Sequence, residues 1–249
     1  MLKEKRFEFI LNQLESEEMV SYEVLAEKLD VSEDTVRRDI DHLHKIGLLS
    51  KVRGGAIQRS KNPLTFEDRN SYLKSEKDVI ALKAQQFIKE EMTLFMDGGT
   101  TICAIVNYLP TDIKLRIITS NAMLIPILEN YPNIELILLG GKYHKQTAST
   151  VGQTTCNEAR SYIADLYFMG TCGVDSKFGI SAVVKEDAEV KLAMLASAKK
   201  VLALANQDRL RVTESFKVCD VEQIDVLITN LATTDKSLDE FRHQPITLV

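Results

Sequence analysis

The sequence predicts an α/β protein: an N-terminal winged helix-turn-helix followed by a larger C-terminal α/β domain with a mostly parallel sheet. In residues 1–58, apolar side chains recur at helical spacing and a basic hairpin pattern follows them. From Met92 onward, short apolar runs of strand length alternate with helical segments, which is typical of a parallel sheet covered on both faces. The 249 residues, 45% of them hydrophobic, suffice for one small and one medium domain.

Three helices and a hairpin account for the first region. Ser21 is placed to cap a short second helix, and Ser32 to cap a third that runs to about Ile46 and stops at Gly47. Residues 48–57 alternate weakly around a Gly-Gly turn, which predicts a β-hairpin wing. The first helix is predicted from apolar residues at helical spacing, which are Phe7, Ile10, Leu11 and Leu14.

The third predicted helix has an apolar face, formed by Val36, Ile40 and Leu43, and an opposite face that carries Arg38, with Arg37 near its edge. A short helix, a tight turn and a capped, arginine-bearing second helix form a helix-turn-helix whose outer face fits the major groove of DNA. The residues expected to contact DNA are Ser32, Asp34, Thr35, Arg37, Arg38, His42 and Lys45 on the helix, with Lys51 and Arg53 in the hairpin.

Charge is distributed unevenly along the chain. The net charge is −5, but seven basic side chains stand against two acidic ones between residues 37 and 61. Such segregation points to a polyanionic partner. A plain three-helix module that binds protein, or binds nothing, remains open as an alternative, with Arg37 and Arg38 as ordinary solvated charges.

A polar segment with Pro63 separates the two regions. We therefore predict a DNA-binding domain at 1–58, a linker at 59–75 and a sensing and oligomerisation domain at 76–249, which begins with a helix at Glu76–Lys89. The strands of the sheet are predicted at Thr93–Met96, Leu115–Ile118, Ile134–Leu139, Leu166–Met169, Val201–Ala205 and Val226–Ile228.

Each predicted strand runs directly into small or polar residues. Because parallel strands end along one edge of a sheet, these residues predict one shared pocket for a small anion. The segment at 98–101 opens a helix and offers N–H groups and hydroxyls to a phosphate. Lys142, Lys191 and Arg209 are candidate counter-charges. The full set of candidate pocket residues is Asp97, Gly98, Gly99, Thr100, Thr101, Thr119, Ser120, Asn121, Gly140, Gly141, Lys142, Gly170, Cys172, Gly173, Lys191 and Arg209.

Each pocket candidate also has a purely structural interpretation. A Gly-Gly pair after a strand is commonly just a turn, and Thr or Asn at a strand end commonly caps the next helix. Lys191 is, by residue type, more commonly a surface lysine. Only the repetition of polar strand ends at one edge favours a binding site.

Cysteine and histidine placement gives no metal-ligand spacing, so we expect no metal and no cofactor. No apolar run is long enough to cross a bilayer, and the charged N-terminus lacks a signal core. We therefore expect a cytoplasmic protein that has no membrane partner. The four cysteines, expected as reduced thiols, are Cys103, Cys156, Cys172 and Cys219.

The string VSEDTVRRDIDHLHKIGLLSKVRGGA, residues 31–56, resembles the DeoR-type family of bacterial regulators of sugar metabolism. Family members carry Val-Ser, then Thr, then Arg-Arg-Asp, and Gly-Gly-Ala after the wing. The resemblance continues through the C-terminal region. The matching pieces there are residues 97–101, the Thr119–Asn121 turn, residues 138–141, Asp165 with Phe168, Gly170 and Gly173, and Glu189-Val190-Lys191 followed by Met194.

The resemblance implies a repressor that binds double-stranded operator DNA as a homodimer or homotetramer. It also implies a C-terminal domain similar to sugar-phosphate isomerases that binds a phosphorylated sugar as regulatory ligand without catalysis. The alternative is an isomerase-like enzyme with a DNA-binding appendage. Asp97, Asp175 and Glu189 are available carboxylates, but no spacing marks one of them as a base.

The chain departs from the family pattern in three segments. Members often have Asp-x-Ser-Lys after the strand at Val201–Ala205, where this chain has Asn206-Gln207-Asp208-Arg209. Gly98 replaces a common serine, and Ser120 stands where asparagine is frequent. Because arginine also binds phosphate, we expect phosphate binding to survive these departures. They bear instead on which phosphorylated ligand is bound.

Overall fold

The computed structural model describes residues 3–17, 19–45, 48–52, 54–58 and 66–249. The chain divides into two compact units, Met1–Lys74 and Ser75–Val249. In the described part of the chain, no helix is both long and apolar enough to span a bilayer.

The first unit consists of helices around a small antiparallel sheet. Its helices are α1 (Lys3–Ser16), α2 (Tyr22–Leu29), α3 (Glu33–Lys45) and α4 (Phe66–Ser71), and its strands are β1 (Met19–Ser21), β2 (Leu49–Val52) and β3 (Gly55–Gln58). The strand order is β1-β3-β2, so the predicted wing hairpin is confirmed and gains a third strand. β1 was not predicted, since three residues are too few for a periodic signal; Val20 pairs with Ala56 there.

Both predicted helix caps are present. Ser21 Oγ accepts a hydrogen bond from the backbone N–H of Val24 at 3.2 Å, and Ser32 Oγ accepts one from Thr35 at 3.3 Å. The predicted end of the third helix at Ile46 and Gly47 lies outside the described residues. Among the described residues of this unit, the core comprises eleven buried side chains, which are Ile10, Leu14, Val20, Tyr22, Leu25, Leu29, Val36, Ile40, Leu43, Leu49 and Ala56.

Helix α4 lies inside the range predicted as a polar linker, of which residues 59–65 are outside the described residues. The next helix, α5 (Lys74–Gln85), starts two residues before its predicted start and ends four residues before Lys89. Its last turn tightens, because Phe87 and Ile88 donate to carbonyls three residues back instead of four. The apolar spacing alone did not reveal this early end.

The second unit contains a seven-stranded sheet in which every neighbouring pair is parallel. Its strand order is β15-β14-β12-β9-β4-β5-β6. The six predicted strands are confirmed to within one residue at each end, and β15 adds an unpredicted edge strand. The strands are β4 (Thr93–Met96), β5 (Leu115–Thr119), β6 (Ile134–Leu138), β9 (Leu166–Gly170), β12 (Val201–Ala205), β14 (Val226–Thr229) and β15 (Thr247–Leu248).

Two smaller sheets were not predicted, because their strands have three or four residues and no continuous apolar run. A hairpin pairs β7 (Lys142–His144) with β8 (Ser149–Val151), and a three-stranded sheet has the order β10-β11-β13. The strands of the latter are β10 (Gly173–Asp175), β11 (Gly179–Ala182) and β13 (Phe216–Cys219). The remaining helices are α6 (Thr100–Asn107), α7 (Leu124–Leu128), α8 (Gln153–Ala159) and α9 (Lys185–Leu195), with short 3-10 turns at Gln207–Arg209, Val221–Gln223 and Lys236–Phe241.

Candidate functional site

Helix α3 separates an apolar face from a charged face, as its sequence predicts. Val36, Ile40 and Leu43 are fully buried against the other helices of the unit. Arg38 is exposed on the opposite side, and Arg37, at the edge of that side, is exposed as well. The fold therefore presents both guanidinium groups to solvent near the capped start of the helix.

A buried ion pair fixes α1 to α3. Arg6 Nε lies 2.5 Å from Asp39 Oδ2, and Arg6 Nη2 lies 3.0 Å from Asp39 Oδ1, so the contact is bidentate. The Asp39 side chain is 4% exposed. Sequence reasoning missed this role, although a signal existed: Asp39 stands three residues after Val36, on the apolar side of the helix.

Each exposed arginine of α3 pairs with an acidic side chain one turn earlier. Arg37 Nη2 is 3.4 Å from Glu33 Oε2 and Arg38 Nη2 is 3.3 Å from Asp34 Oδ2. The Arg37 guanidinium also lies over the Tyr22 ring, 5.2 Å from its centroid. Exposed pairs of this kind contribute only about 0.3–0.5 kcal/mol, so a phosphate can displace the carboxylates at small cost.

The other predicted DNA contacts occupy several positions around α3 and the wing. The His42 ring stacks on Phe7 with centroids 5.2 Å apart. Lys51 Nζ lies 2.5 Å from Asp41 Oδ1, and this hydrogen bond raises the pKa of Lys51. The side chains of the remaining two basic candidates lie outside the described residues; they are Lys45 and Arg53.

At the carboxyl edge of the large sheet, the dominant feature is a buried charge cluster around Asp97. Lys191 Nζ lies 2.6 Å from Asp97 Oδ2, 3.6 Å from Asp187 Oδ2 and 2.9 Å from the carbonyl oxygen of Gly170. Tyr167 Oη donates to Asp97 Oδ2 at 2.7 Å, and Gly170 N–H donates to Asp97 Oδ1 at 2.9 Å. The cluster thus joins the ends of β4 and β9 to α9.

Burial and pairing set the protonation of this cluster. Burial raises the pKa of Asp97 to about 6, and the Lys191 ammonium opposes that shift. Burial alone would lower the pKa of Lys191, but the Asp187 and Asp97 carboxylates outweigh it and the net shift is upward. Both members of the pair are therefore ionised at neutral pH. Lys191 is 2% exposed, so the interpretation of it as a surface lysine is wrong.

The turn after β4 leads directly into the start of helix α6. Gly99 has a φ of +145°, and no side-chain hydrogen bond caps the beginning of α6. Asn121 Nδ2 donates to the Gly99 carbonyl at 3.2 Å, and Asn121 N–H donates to Thr119 Oγ1 at 2.9 Å. The predicted segments at 98–101 and 119–121 are therefore adjacent, and Thr100, the first residue of α6, is buried.

The glycines after β6 serve close packing in the structure. Gly140 N–H donates to Glu158 Oε2 at 2.6 Å, and Thr155 Oγ1 donates to the Gly140 carbonyl at 2.6 Å. A Cβ on Gly141 would lie 2.1 Å from Thr155 Oγ1. Lys142 follows on β7 and is exposed. Ser120 meets the neighbouring hairpin, because its carbonyl accepts from the N–H of residue 150 at 2.8 Å.

The loop after β9 approaches the end of β12. Arg209 Nη1 donates to the Cys172 carbonyl at 3.4 Å, which brings these two candidates together. Burial raises the pKa of the Cys172 thiol, while Lys191 and Arg209 lower it. Gly173 instead begins β10, where a Cβ would lie 2.4 Å from the carbonyl oxygen of Val212.

Several edge residues were missing from the predicted set. Asp187 could have been found, since it stands one helical turn before Lys191. Burial raises the pKa of the Cys103 thiol to about 11. Lys77 of α5, which is 6% exposed, is close enough to oppose that rise. Nothing in the sequence places Tyr167 beside Asp97, since its strand reads as uniformly apolar. No cluster of three or more metal-ligating side chains occurs among the residues described.

Two family models match the chain. Residues 6–62 match the DeoR-like helix-turn-helix domain, and residues 73–231 match the DeoR C terminal sensor domain. The chain is 31% identical to the HTH-type transcriptional repressor GlcR of Bacillus subtilis (strain 168), over 92% of this chain and 89% of that protein. It is 30% identical to the lactose phosphotransferase system repressor of Lactococcus lactis subsp. lactis, over 97% and 96%. The glycerol-3-phosphate regulon repressor of Escherichia coli (strain K12) is 26% identical, over 92% of each chain.

Solved structures show a weaker likeness. Ribose 5 phosphate isomerase A from Neisseria gonorrhoeae shares 16% identity and a TM-score of 0.40, over 57% of this chain and 53% of that one. The eIF2B delta of Chaetomium thermophilum shares 16% identity and a TM-score of 0.47, over 64% and 57%. The family models and the near full-length relatives, by contrast, show that this chain belongs to the DeoR family of DNA-binding helix-turn-helix transcription regulators.

Proposed function

We propose that the chain is a repressor that binds double-stranded operator DNA through α3 and the β2–β3 hairpin, and that a phosphorylated sugar bound at the carboxyl edge of the large sheet releases it. The observation that carries this proposal is the two-faced α3, with a buried apolar side and two exposed arginines near a capped start. Three relatives that are named as repressors, two of them after a lactose or glycerol-3-phosphate system, support the same role.

The DNA contacts follow from the charge and position of α3. Its start can lie in the major groove, where Arg38 and Arg37 contact phosphates or guanine edges. Ser32 caps the helix and Thr35 lies beside it, with the two hydroxyl oxygens 3.0 Å apart. Asp34 must leave Arg38 when DNA binds, because a carboxylate beside a phosphate is repelled.

The effector site is proposed at the turn after β4. The uncapped start of α6 supplies N–H groups for the phosphate, and Arg209 supplies a positive charge at the end of β12. Lys191 acts indirectly in this proposal, since Asp97 and the Gly170 carbonyl already hold its ammonium.

We further propose that the protein does not catalyse isomerisation. A base must face the substrate carbon, but both buried carboxylates of the cluster at this edge are engaged. Asp97 accepts hydrogen bonds from Lys191, Tyr167 and Gly170, and Asp187 is paired with Lys191. Isomerisation of any member of a panel of pentose and hexose phosphates, faster than in buffer without protein, would overturn this part of the proposal. We also propose a cytoplasmic homodimer or homotetramer that needs no cofactor and contacts two half-sites spaced by about one helical turn of DNA or a multiple.

DNA binding is tested with a duplex that the wild-type protein selects from a random-sequence pool. Replacing Arg37 and Arg38 by alanine should abolish the mobility shift at fixed salt. For any residual binding, the slope of log K against log salt concentration should become less negative by about 0.9 for each phosphate that the variant no longer neutralises. The matched control replaces two arginines of the other unit, Arg116 and Arg242, and should bind like wild type. Unchanged affinity in the α3 variant would refute the assignment.

Effector binding is tested by thermal shift with a panel of phosphorylated sugars, repeated with the selected duplex present. A ligand at about 100 times its Kd stabilises the protein by about 2.7 kcal/mol. Because coupling is reciprocal, a ligand that lowers the affinity for DNA by some factor must itself bind more weakly by the same factor when the duplex is present. A panel in which no phosphorylated sugar raises the Tm would reject the effector class.

A further inference from the structure

One buried acceptor at the proposed effector edge has no partner. Asn206 directly follows β12 and is 7% exposed, and its Oδ1 atom accepts no hydrogen bond from any described residue. A buried oxygen that loses its water without gaining a donor destabilises the folded state. The structure retains this unfavourable atom although the surrounding polar groups are well satisfied.

The neighbours of Asn206 show how complete the rest of the hydrogen bonding is. Asn230, at the end of the next strand, accepts from Gln207 N–H at 3.0 Å and pairs with the Gln207 side-chain amide. Thr171 Oγ1 donates to the Leu204 carbonyl at 2.7 Å. The Asn206 backbone carbonyl itself accepts from Arg209 N–H at 2.9 Å. The unsatisfied oxygen at this edge is therefore specific to one side chain.

The register places Asn206 at the proposed pocket. Leu204 is opposite Gly170, and Met96 is opposite Phe168, so the ends of β12, β9 and β4 lie side by side. The backbone of Asn206 is extended, with φ −73° and ψ 169°, so the alternation of the strand continues. The Asn206 side chain therefore lies on the same face of the sheet as the Leu204 side chain. Gly170 pairs with Leu204, so it lies on that face as well.

We propose that Asn206 is a specificity-determining residue whose Oδ1 accepts a hydrogen bond from a neutral hydroxyl of a phosphorylated sugar. The inference rests on the proposed effector function and adds to it the requirement for a hydroxyl. A hydroxyl donor fits better than an ammonium donor, because a positive charge already lies nearby. Arg209 ends the 3-10 turn that follows Asn206, and its guanidinium donates to the Cys172 carbonyl. A cationic donor there would be repelled, whereas a neutral hydroxyl on an anionic ligand is not.

The test compares ligands that differ by one hydroxyl within the same variant, so that general effects of a substitution cancel. The pairs are ribose 5-phosphate with 2-deoxyribose 5-phosphate, glucose 6-phosphate with 2-deoxyglucose 6-phosphate, and glucose 6-phosphate with 1,5-anhydroglucitol 6-phosphate. Wild type should prefer the hydroxylated member of one pair by about tenfold in Kd, equivalent to about 1.4 kcal/mol. Asn206→Ala should reduce that preference to about one, while Asn206→Asp, which keeps an acceptor in place, should retain it.

A stability measurement separates this role from a structural one. Without ligand, Asn206→Ala should keep or raise the wild-type Tm, because it removes an unsatisfied acceptor and breaks no hydrogen bond to Oδ1. The control Asn133→Ala, which removes the Asn133 Nδ2 bond to the Asp112 carbonyl at the opposite edge, should leave the ligand preference unchanged. A wild type that binds sugar phosphates without preference in any pair, or an Asn206→Ala variant that keeps the preference, overturns the inference and leaves the proposed function intact. Failure of every phosphorylated sugar to bind wild type would reject the proposed function itself.

Discussion

Replacing Lys191 by methionine should destabilise the C-terminal unit strongly at neutral pH. The substitution keeps an unbranched apolar side chain of nearly the same length but leaves the Asp97 and Asp187 carboxylates buried without a cation. The Lys191 side chain is 3% exposed and those of the two carboxylates are 1% and 9% exposed, so solvent cannot compensate. Removing one partner of such a pair costs about 3–5 kcal/mol.

The cost should depend on pH in a defined direction. In the wild type, the pKa of Asp97 is already raised to about 6, above its unfolded value, and loss of the lysine charge raises that pKa further. A group whose folded pKa is raised binds more protons in the folded state, so its unfavourable contribution disappears as the pH falls. The difference between wild type and Lys191→Met should therefore shrink between about pH 8 and about pH 5.

The assay is guanidinium denaturation followed by tyrosine fluorescence and circular dichroism at both pH values. The chain has no tryptophan, and one of its seven tyrosines, Tyr167, donates to Asp97 within the cluster. The matched control is Lys185→Met on the same helix, whose side chain is 68% exposed and whose ammonium is 3.8 Å from Glu189, with an expected cost of about 0–1 kcal/mol. A cost below about 1 kcal/mol for Lys191→Met at about pH 8, or one that grows on acidification, would refute the reasoning.

Three further substitutions test separate features. Arg6→Ala should lower the stability of the N-terminal unit by about 3 kcal/mol in thermal unfolding, because Asp39 stays buried without its cation; a loss like that of an exposed pair would contradict this. Gly141→Ala should destabilise by about 1–3 kcal/mol, since φ is +140° and the new methyl meets Thr155, and an unchanged Tm would count against it. A hydrogen bond from Lys199 lowers the pKa of Asp165. Asp165→Asn should therefore lower the free energy of unfolding by about 0.5–1 kcal/mol near neutral pH, and by less once the pH falls below the unfolded pKa near 4. A loss of stability that persists in acid would exclude this mechanism.

Local sequence patterns predicted the elements that bury apolar residues at a regular period. Helix α3 shows why: Val36, Ile40 and Leu43 recur at helical spacing, and Ser32 supplies a cap, so four residues specify both the helix and its buried face. The large sheet was predicted for the same reason, since each strand is a short apolar run between polar ends.

Pairings between distant residues could not be predicted from the same patterns. Lys191 and Asp97 are 94 residues apart, and only the fold shows that their charges meet in a dry environment. The strand β1 exists because β3 offers it an edge, not because of its own three residues. For the candidate site, the sequence therefore predicted which turns meet at one edge but not which side chains neutralise each other there.

Under the proposed function, the two arginines of α3 both stabilise the free protein and remain available for DNA. Glu33 and Asp34 lie in the first turn of the helix, where negative charge is favoured by the helix dipole, and they hold the guanidinium groups one turn away. Because both pairs are exposed, the free energy needed to exchange a carboxylate for a phosphate is small. The exchange releases counterions from DNA, so the net gain falls as salt rises. The acidic residues thus reduce the affinity of α3 for any polyanion, which favours duplexes that also offer base contacts to this helix over those that offer phosphates alone.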